Sequence, residues 1–274
     1  MLNFPHDQAA GLRRLMATPK PRVMSIISAA ANPQPSHMLS NLAATIYALG
    51  NKVLLIEATG YAEELNDFVD HLPALLDVAN GQSLLTNAIT ETDYGFYCAK
   101  LKHAFQRETI LDTLETQQLG FVFEELMHAF DVILVNAELD QQHLLPIAAL
   151  NEGEILIQMT RDPASIKQAY ALIKRMCSQI GNRSFSIVVD NATEEQAEPI
   201  FNNIADVAWR FMKIQLSFFG AIPNDEHLLR AAYLRRSVVD AFPMANASNA
   251  FYKIAEKMHK KPKRNVKKLS HSTI

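Results

Sequence analysis

The segment from Ala29 to Ser36 lies where a phosphate-binding loop is expected, between a predicted strand, RVMSIIS, and a predicted helix. A second apolar run, KVLLIEA, brings the acid Glu57 to the same edge. Loops of this kind bind phosphate through successive backbone N–H groups at a helix N-terminus, with glycines for the tight turn and lysine for charge. Residues 29–36 contain neither glycine nor lysine. The sequence therefore has the frame of a phosphate site without the groups that perform the chemistry.

Other polar residues give weaker indications of chemistry. Asp131, Glu138 and Asp140 flank the apolar run DVILVNA, where they could form an acidic pair or a metal site, or serve only as strand-flank and loop charges. The nine histidines are scattered, and none lies in a nucleophile–base signature. We expect His37 to be a solvent-facing residue in the first turn of its helix, and Ser36 to cap that helix.

Strands and helices alternate along the whole chain. The runs VLLIEA, DVILVNA and SIVVD are continuously apolar, as strands covered on both faces must be. This pattern predicts an α/β fold with a mainly parallel, doubly wound sheet and helices on both faces. Right-handed crossovers then bring the carboxyl ends of the strands, where ligands bind, to one edge.

Helical spacing predicts the remaining elements. The predicted helices after Glu57 are 72–79, 83–89, 109–129, 144–150, 162–180, 193–212, 224–234 and 246–258. We assign four aromatic residues to the core: Trp209, Phe211, Phe218 and Phe219. The last helix places four apolar residues on one face, which either packs on the body or contacts a membrane: Phe251, Ile254, Ala255 and Met258.

Composition limits the class of protein. The 274 residues are 49% hydrophobic and 20% charged, which is typical of a globular chain, and Cys98 and Cys177 are expected to be reduced thiols of a cytosolic protein. We find no signal peptide and no apolar stretch of the ~18 residues that a membrane span needs. The net charge of −3 hides an acidic body and a basic end, because eight Lys or Arg and one acid follow residue 252.

The order of these segments resembles the MinD/ParA group of deviant-Walker ATPases, and within it the FlhG (FleN) regulators of flagellar number and placement. DQAAGLR, residues 7–13, is similar to the DQAxxLR motif of the FlhG group. Four later segments are similar to the family in order and spacing: SNLAATIYALGNKVLLIEA, DVILVNA, TRDPASIKQAYALIKRM and FFGAIPNDEHLLRAA. The resemblance covers residues 7–258 and implies a P-loop NTPase-like, MinD-type fold.

The same resemblance shows what the loop lacks. Laid on Ser28–Ser36, the family pattern SGKGGVGK[ST] has Ala30 and Pro35 in place of its lysines. The resemblance implies a degenerate nucleotide pocket formed by Ala29, Ala30, Ala31, Asn32, Pro33, Gln34, Pro35, Ser36, Glu57, Thr59 and Asn136. Asn136 stands where the family has the aspartate that holds Mg²⁺ through water. We therefore predict a pseudo-ATPase with no catalytic residue, no metal and no cofactor, whereas the family uses ATP and Mg²⁺.

The resemblance also implies protein partners. In FlhG-like proteins the N-terminal motif docks on the SRP-type GTPase FlhF and stimulates hydrolysis. The residues carried over to that role are Asp7, Gln8, Ala9, Leu12 and Arg13. Alternatively, this segment is an amphipathic helix that packs Leu12, Leu15 and Met16 on the body. Further implied partners are the C-ring proteins FliM/FliN and a flagellar transcription activator, whereas no specific nucleic acid is expected.

These observations predict three regions: an N-terminal partner-activating segment (1–20), a MinD-like α/β domain (21–259) and a basic tail of disordered composition (260–274). The expected location is the cytoplasm, with weak electrostatic contact of the tail with the membrane or a position at the cell pole. Two alternatives remain open. One is a functional but strongly deviant ATPase, and the other is a MinD-like scaffold in cellulose secretion or partitioning.

Overall fold

The computed structural model describes residues 21–29, 37–59, 65–106, 111–140 and 142–259. Within these residues the strands are β1 (Arg22–Ser28), β2 (Val53–Glu57), β3 (Thr90–Glu91), β4 (Tyr97–Lys100), β5 (Val132–Asn136), β6 (Glu154–Met159), β7 (Phe185–Asp190) and β8 (Leu216–Ile222). The α-helices are α1 (Met38–Ala48), α2 (Asn66–Val69), α3 (Leu75–Ala79), α4 (Thr113–Ala129), α5 (Pro163–Ile180), α6 (Glu194–Met212), α7 (Glu226–Tyr233), α8 (Val238–Ala241) and α9 (Asn246–His259). Short 3₁₀ turns occur at Leu85–Asn87, Ala104–Gln106 and Ala148–Asn151.

The strands form one sheet in the order β3-β4-β2-β5-β1-β6-β7-β8. Neighbouring strands are parallel except for β3, which pairs antiparallel with β4 at one edge. The predicted doubly wound, mainly parallel α/β fold is confirmed.

The sheet has a buried core on each face. Leu134 of β5 belongs to the core under α1, α8 and α9, and its neighbour Ile133 belongs to the core under α4, α5 and α6. Both residues are fully buried. Because successive side chains of a strand point to opposite faces, a strand between two helical layers must be apolar at every position. This requirement explains why the central strands could be predicted from the sequence.

The last helix packs on the body of the domain. The four apolar residues predicted to share a face on α9 are at most 5% exposed: Phe251, Ile254, Ala255 and Met258. Gly220 of β8 has φ +155°, and a Cβ there would lie 2.7 Å from Cγ1 of Ile254. The alternative in which this helix packs on the body is therefore the one observed. No helix among the described residues combines the length and apolarity needed to cross a membrane.

Arg22 joins the first strand to the end of the last helix. Its Nε and Nη2 donate to the two carboxylate oxygens of Glu154 at 2.8 and 2.7 Å. Its Nη1 donates to the carbonyl oxygens of Lys257, at 2.9 Å, and Met258. The last carbonyls of a helix have no partner within the helix, so the guanidinium satisfies groups that α9 leaves open.

Several element predictions were wrong in detail. Residues 144–150 were predicted to be helical, but only the 3₁₀ turn Ala148–Asn151 forms, and β3 was not predicted. The helix predicted over 109–129 begins at Thr113. The helices predicted over 72–79 and 83–89 are reduced to α3 and the 3₁₀ turn Leu85–Asn87.

The aromatic core prediction was wrong for two of its four residues. Phe219 is 5% exposed and lies in the core on one face of the sheet, and the half-buried Phe218 packs against the core on the other face. Trp209 and Phe211 are 53% and 69% exposed. Both lie in the last turn of α6, whose buried positions are Ala197, Ile204 and Ala208, so neither ring shares that face.

Candidate functional site

The carboxyl ends of β1, β2 and β5 meet at one edge of the sheet. Asn136, the last residue of β5, is in register with Glu57 of β2 on one side and Ile26 of β1 on the other. Ala29 follows β1, and its N–H donates to the carbonyl oxygen of Gln158 at 2.8 Å. This edge therefore holds the described members of the predicted pocket.

The Glu57 carboxylate accepts three hydrogen bonds from neighbouring residues. Its Oε1 accepts from the backbone N–H of Thr59 at 2.7 Å and from the Thr59 hydroxyl at 2.5 Å. Its Oε2 accepts from Nδ2 of Asn136 at 2.7 Å. Glu57 is 3% exposed and Thr59 is 8% exposed. A buried carboxylate needs such donors because an unpaired buried charge is costly.

Burial raises the pKa of Glu57 above its ordinary value. The hydrogen bonds from Thr59 and Asn136 oppose that shift, and the charge of Glu138 adds to it. A raised carboxyl pKa means that the folded state binds a proton more readily than the unfolded chain. The contribution of Glu57 to stability is therefore largest at acidic pH and is lost as pH rises through its raised pKa.

The beginning of α1 differs from the prediction. His37 precedes the helix with φ 46°, its side chain does not cap the helix, and its imidazole is half-buried. Burial lowers the pKa of His37, so the expectation of a solvent-facing histidine was wrong. The His37 carbonyl accepts from the side chains of Ser40, at 3.2 Å, and Asn41, at 2.7 Å.

Asn41 was not identified from the sequence. It is 5% exposed, and its Oδ1 accepts from the backbone N–H of Val238 at 2.7 Å. This bond joins the first turn of α1 to the first turn of α8, next to the pocket edge. An amide among the apolar residues of SNLAATI was the available signal, because a buried amide needs partners.

A second polar pair at the same edge was also missed. Asp190, the last residue of β7, is 4% exposed, and Oδ2 accepts from Nε2 of Gln158 at 3.0 Å. Its Oδ1 accepts from the N–H of Asn191 at 2.9 Å. An acid that closes the apolar run SIVVD was the signal for this pair.

The other acidic candidates do not converge. The carboxylate of Asp131 accepts from the N–H of Lys52 at the amino end of β5, opposite the pocket edge. Asp140 Oδ1 accepts from the N–H groups of Gln142 and Leu144 in a turn. Over the described part of the chain, no group of three His, Cys, Asp or Glu residues is arranged to hold a metal ion. The alternative of strand-flank and loop charges fits these contacts.

Several predicted site residues lie outside the described residues. They are the loop positions Ala30, Ala31, Asn32, Pro33, Gln34, Pro35 and Ser36, and the partner-binding positions Asp7, Gln8, Ala9, Leu12 and Arg13. The N-terminal segment 1–20 and the tail 260–274 lie outside them as well. These predictions therefore rest on the sequence.

Solved structures share this fold. MinD in the MinC:MinD complex of Aquifex aeolicus superimposes with a TM-score of 0.67 at 19% identity, over 88% of this chain and 96% of that chain. MinD from Pyrococcus horikoshii, solved with Mg-ADP, gives 0.64 at 18% identity over 88% and 96%. A ParA family ATPase from Chlorobium tepidum gives 0.62 at 18% identity over 86% and 98%. No family model matches the sequence.

The sequence is also similar to that of a curated protein. The antiactivator FleN of Pseudomonas aeruginosa is 26% identical over 225 residues, which cover 81% of this chain and 80% of FleN. The chain is similar to FleN and has the fold of the MinD and ParA structures. The resemblance inferred from the sequence motifs is thereby confirmed at the level of the FlhG/FleN group.

The described side chains at this edge of the sheet are poorly suited to bind Mg²⁺ or phosphate. The Asn136 amide presents N–H groups to Glu57, whereas Mg²⁺ sites are built from carboxylates and other oxygens. Both Glu57 oxygens already accept hydrogen bonds from the protein. Among Ala29, Glu57, Thr59 and Asn136 there is no cationic side chain to face a phosphate.

Proposed function

We propose that this chain is a FleN-like regulator that acts by binding other proteins and does not turn over ATP. The observation that carries the proposal is the 2.7 Å hydrogen bond from the Asn136 amide to the buried carboxylate of Glu57. It uses, for internal structure, the position at which the resembling family has the aspartate that holds Mg²⁺ through water. In place of that aspartate, the Asn136 amide donates a hydrogen bond to a neighbouring carboxylate.

The sequence of the loop supports the same conclusion. Ala30 and Pro35 stand at the two lysine positions of the family pattern, and Pro33 and Pro35 have no N–H to offer. A hydrogen bond to a charged group contributes about 1.5–3 kcal/mol. Loss of several such bonds exceeds the ~8 kcal/mol of a micromolar complex. We therefore expect no tight ATP binding.

Titration calorimetry of the full chain with Mg-ATP tests this step. We expect no saturable heat at nucleotide concentrations up to about 1 mM, which corresponds to about 4 kcal/mol of binding free energy. A micromolar dissociation constant with phosphate release would establish the alternative of a strongly deviant ATPase. That alternative has some support, because MinD of Pyrococcus horikoshii was solved with Mg-ADP on the same fold.

The first proposed partner is an FlhF-like SRP-type GTPase, bound through residues 7–13. Gln8 or Arg13 would contact or order the partner's catalytic site, as positioned side chains do in GTPase activation. A peptide of residues 1–20 should raise GTP turnover by such a partner, and the Gln8→Ala peptide should not. A peptide without effect would favour a scaffold role in cellulose secretion or partitioning.

The second proposed partner is a flagellar transcription activator. The support is the relative's description as an antiactivator. The purified chain should reduce promoter binding by that activator without added nucleotide, and a need for ATP would contradict the proposal. Contacts with FliM/FliN and a weak, salt-sensitive contact of the basic tail with the inner face of the membrane remain proposals from the resemblance and from charge.

A further inference from the structure

The outer face of α6 carries a stripe of six exposed residues. Their spacing alternates between four and three residues, which keeps them on one side of a helix. The stripe consists of Glu195, Pro199, Asn202, Asp206, Trp209 and Lys213, the last being the residue that ends the helix. The opposite side is buried through Ala197, Ile204 and Ala208. The stripe therefore points away from the domain.

Two antiparallel copies of this stripe have complementary side chains. Residues at equal sequence distance from Ile204 form three pairs. They are a carboxylate with an ammonium group, a proline with an indole, and an amide with a carboxylate. These pairs are Glu195 with Lys213, Pro199 with Trp209, and Asn202 with Asp206. Two antiparallel copies of a helix related by a twofold axis bring such positions opposite each other.

The charged members of the stripe are available for this contact. Within the described part of the chain, Glu195 and Asp206 have no ion-pair partner, and Lys213 only approaches the Trp209 ring, at 5.9 Å from its centroid. Trp209 is 53% exposed, an unusual position for a large apolar ring. Tryptophan is also enriched among residues that dominate binding energy at interfaces.

We propose that α6 is a self-association surface on which a second copy of this chain docks antiparallel, about a twofold axis that passes between Asn202 and Asp206. Lys213 then faces Glu195 of the second copy, and Trp209 lies against Pro199 of the second copy. Each contact occurs twice because the interface is isologous. The surface is small and largely polar, so the dimer is weak and reversible.

Helix packing, not strand pairing, makes this contact. The neighbouring strand β8 lies at the edge of the sheet, where a second copy could otherwise add strands. Lys257 Nζ donates to the carbonyl oxygens of Phe218, at 3.4 Å, and Phe219, at 3.1 Å. Lys257 belongs to α9, and its ammonium group occupies carbonyl oxygens that an added strand would need. We therefore place the second copy on the exposed face of α6 and not on this sheet edge.

Sedimentation equilibrium of the full chain, from about 5 to about 200 μM, tests the proposal. The mass should rise towards that of a dimer with or without ATP. Trp209 is the single tryptophan of the chain, so its emission reports the contact directly. We expect the emission to shift to shorter wavelength as the dimer forms. A monomer at every concentration would overturn the proposal.

Charge reversal identifies the pairing. Glu195→Lys and Lys213→Glu should each weaken the dimer about tenfold, because each places like charges opposite each other twice. The double variant should restore it. Glu125→Lys is the matched control, since Glu125 is exposed on a different helix, α4, and the substitution changes the net charge equally. Circular dichroism verifies folding of each variant.

Three results would overturn the inference. The first is a dimer that the single reversals do not weaken, and the second is a double variant that stays monomeric. The third is an equal effect of Glu125→Lys, which would indicate net charge in place of a specific pair. A tryptophan shift seen only with vesicles of anionic lipid would assign this face to a membrane and also reject the dimer.

Discussion

Asn136→Asp places a second carboxylate against the buried carboxylate of Glu57. In the folded protein the Asn136 amide donates to Glu57 at 2.7 Å, and an ionised aspartate cannot donate. The two carboxylates must then share a proton, because like charges at this distance do not both ionise in a buried site. We therefore expect the variant to be less stable than the wild type at neutral pH.

The free-energy cost of taking up that proton sets the upper limit on the loss of stability in Asn136→Asp. An unfolded aspartate has a pKa of about 3.9, and each pH unit above it costs about 1.4 kcal/mol. The limit is therefore about 5 kcal/mol at pH 7.5 and about 2 kcal/mol at pH 5.5. Because the pKa of the shared proton is raised in the folded state, stability is gained as pH falls. Asn136 is half-buried, so solvent brings the cost below these limits.

Urea unfolding of variant and wild type at both pH values measures the two free-energy differences. Asn87→Asp is the control, because Asn87 is exposed and the same substitution there should be nearly neutral at both pH values. The reasoning fails if Asn136→Asp costs no more than Asn87→Asp at pH 7.5, or if its cost does not shrink at pH 5.5. Restoration of stability by Mg²⁺ would show that the edge still binds metal, against the proposed function.

Three further predictions concern backbone conformation, side-chain packing and burial. Gly95→Ala should cost about 3 kcal/mol by urea unfolding, because its φ is +88° and the new Cβ would lie 2.2 Å from the Tyr47 ring; Gly81→Ala, with φ +71° and open space, should cost about 1 kcal/mol. Phe251→Ala should cost about 3–5 kcal/mol in the same assay, since the ring is fully buried, and a loss below about 1 kcal/mol would contradict the packing of α9. Burial raises the pKa of the Cys98 thiol to about 12, so a thiol reagent should modify it only after unfolding.

The parallel sheet could be predicted because burial on both faces leaves a sequence signature. The strands β2 and β5 are apolar at each successive position up to the polar residue that ends each of them, Glu57 and Asn136. Strand β3 could not be found in this way. It has two residues, Thr90 and Glu91, neither of them buried, and it exists only through antiparallel pairing with β4. Its formation depends on tertiary contact.

The proximity of the site residues could also be predicted, because the carboxyl ends of parallel strands share an edge. The hydrogen bond from Asn136 to Glu57 could not be predicted, because it depends on the register of β2 and β5 and on side-chain direction. The Gln158–Asp190 pair was missed for the same reason. Sequence shows which polar groups reach the edge, whereas the fold decides which of them meet.

Trp209 shows a different kind of failure. Hydrophobicity assigned it to the core, but helical phase contradicts that assignment. One residue of a helix turns about 100°. Trp209 follows the buried Ala208 and so points away from the buried face of α6. The helical phase of the apolar residues over 193–212 is therefore a better guide to the position of this ring than its hydrophobicity.

The bridge made by Arg22 determines where two segments leave the domain. Arg22 contacts the carbonyl oxygens of Lys257 and Met258, so residue 21 and residue 259 lie at neighbouring points on the same rim. Segments tethered at one place have a high effective concentration for each other and for whatever either one binds. An acidic surface that captured the lysines beyond residue 259 would also gather the DQAAGLR motif to itself. A bulky fusion attached at one terminus would, for the same reason, crowd the other.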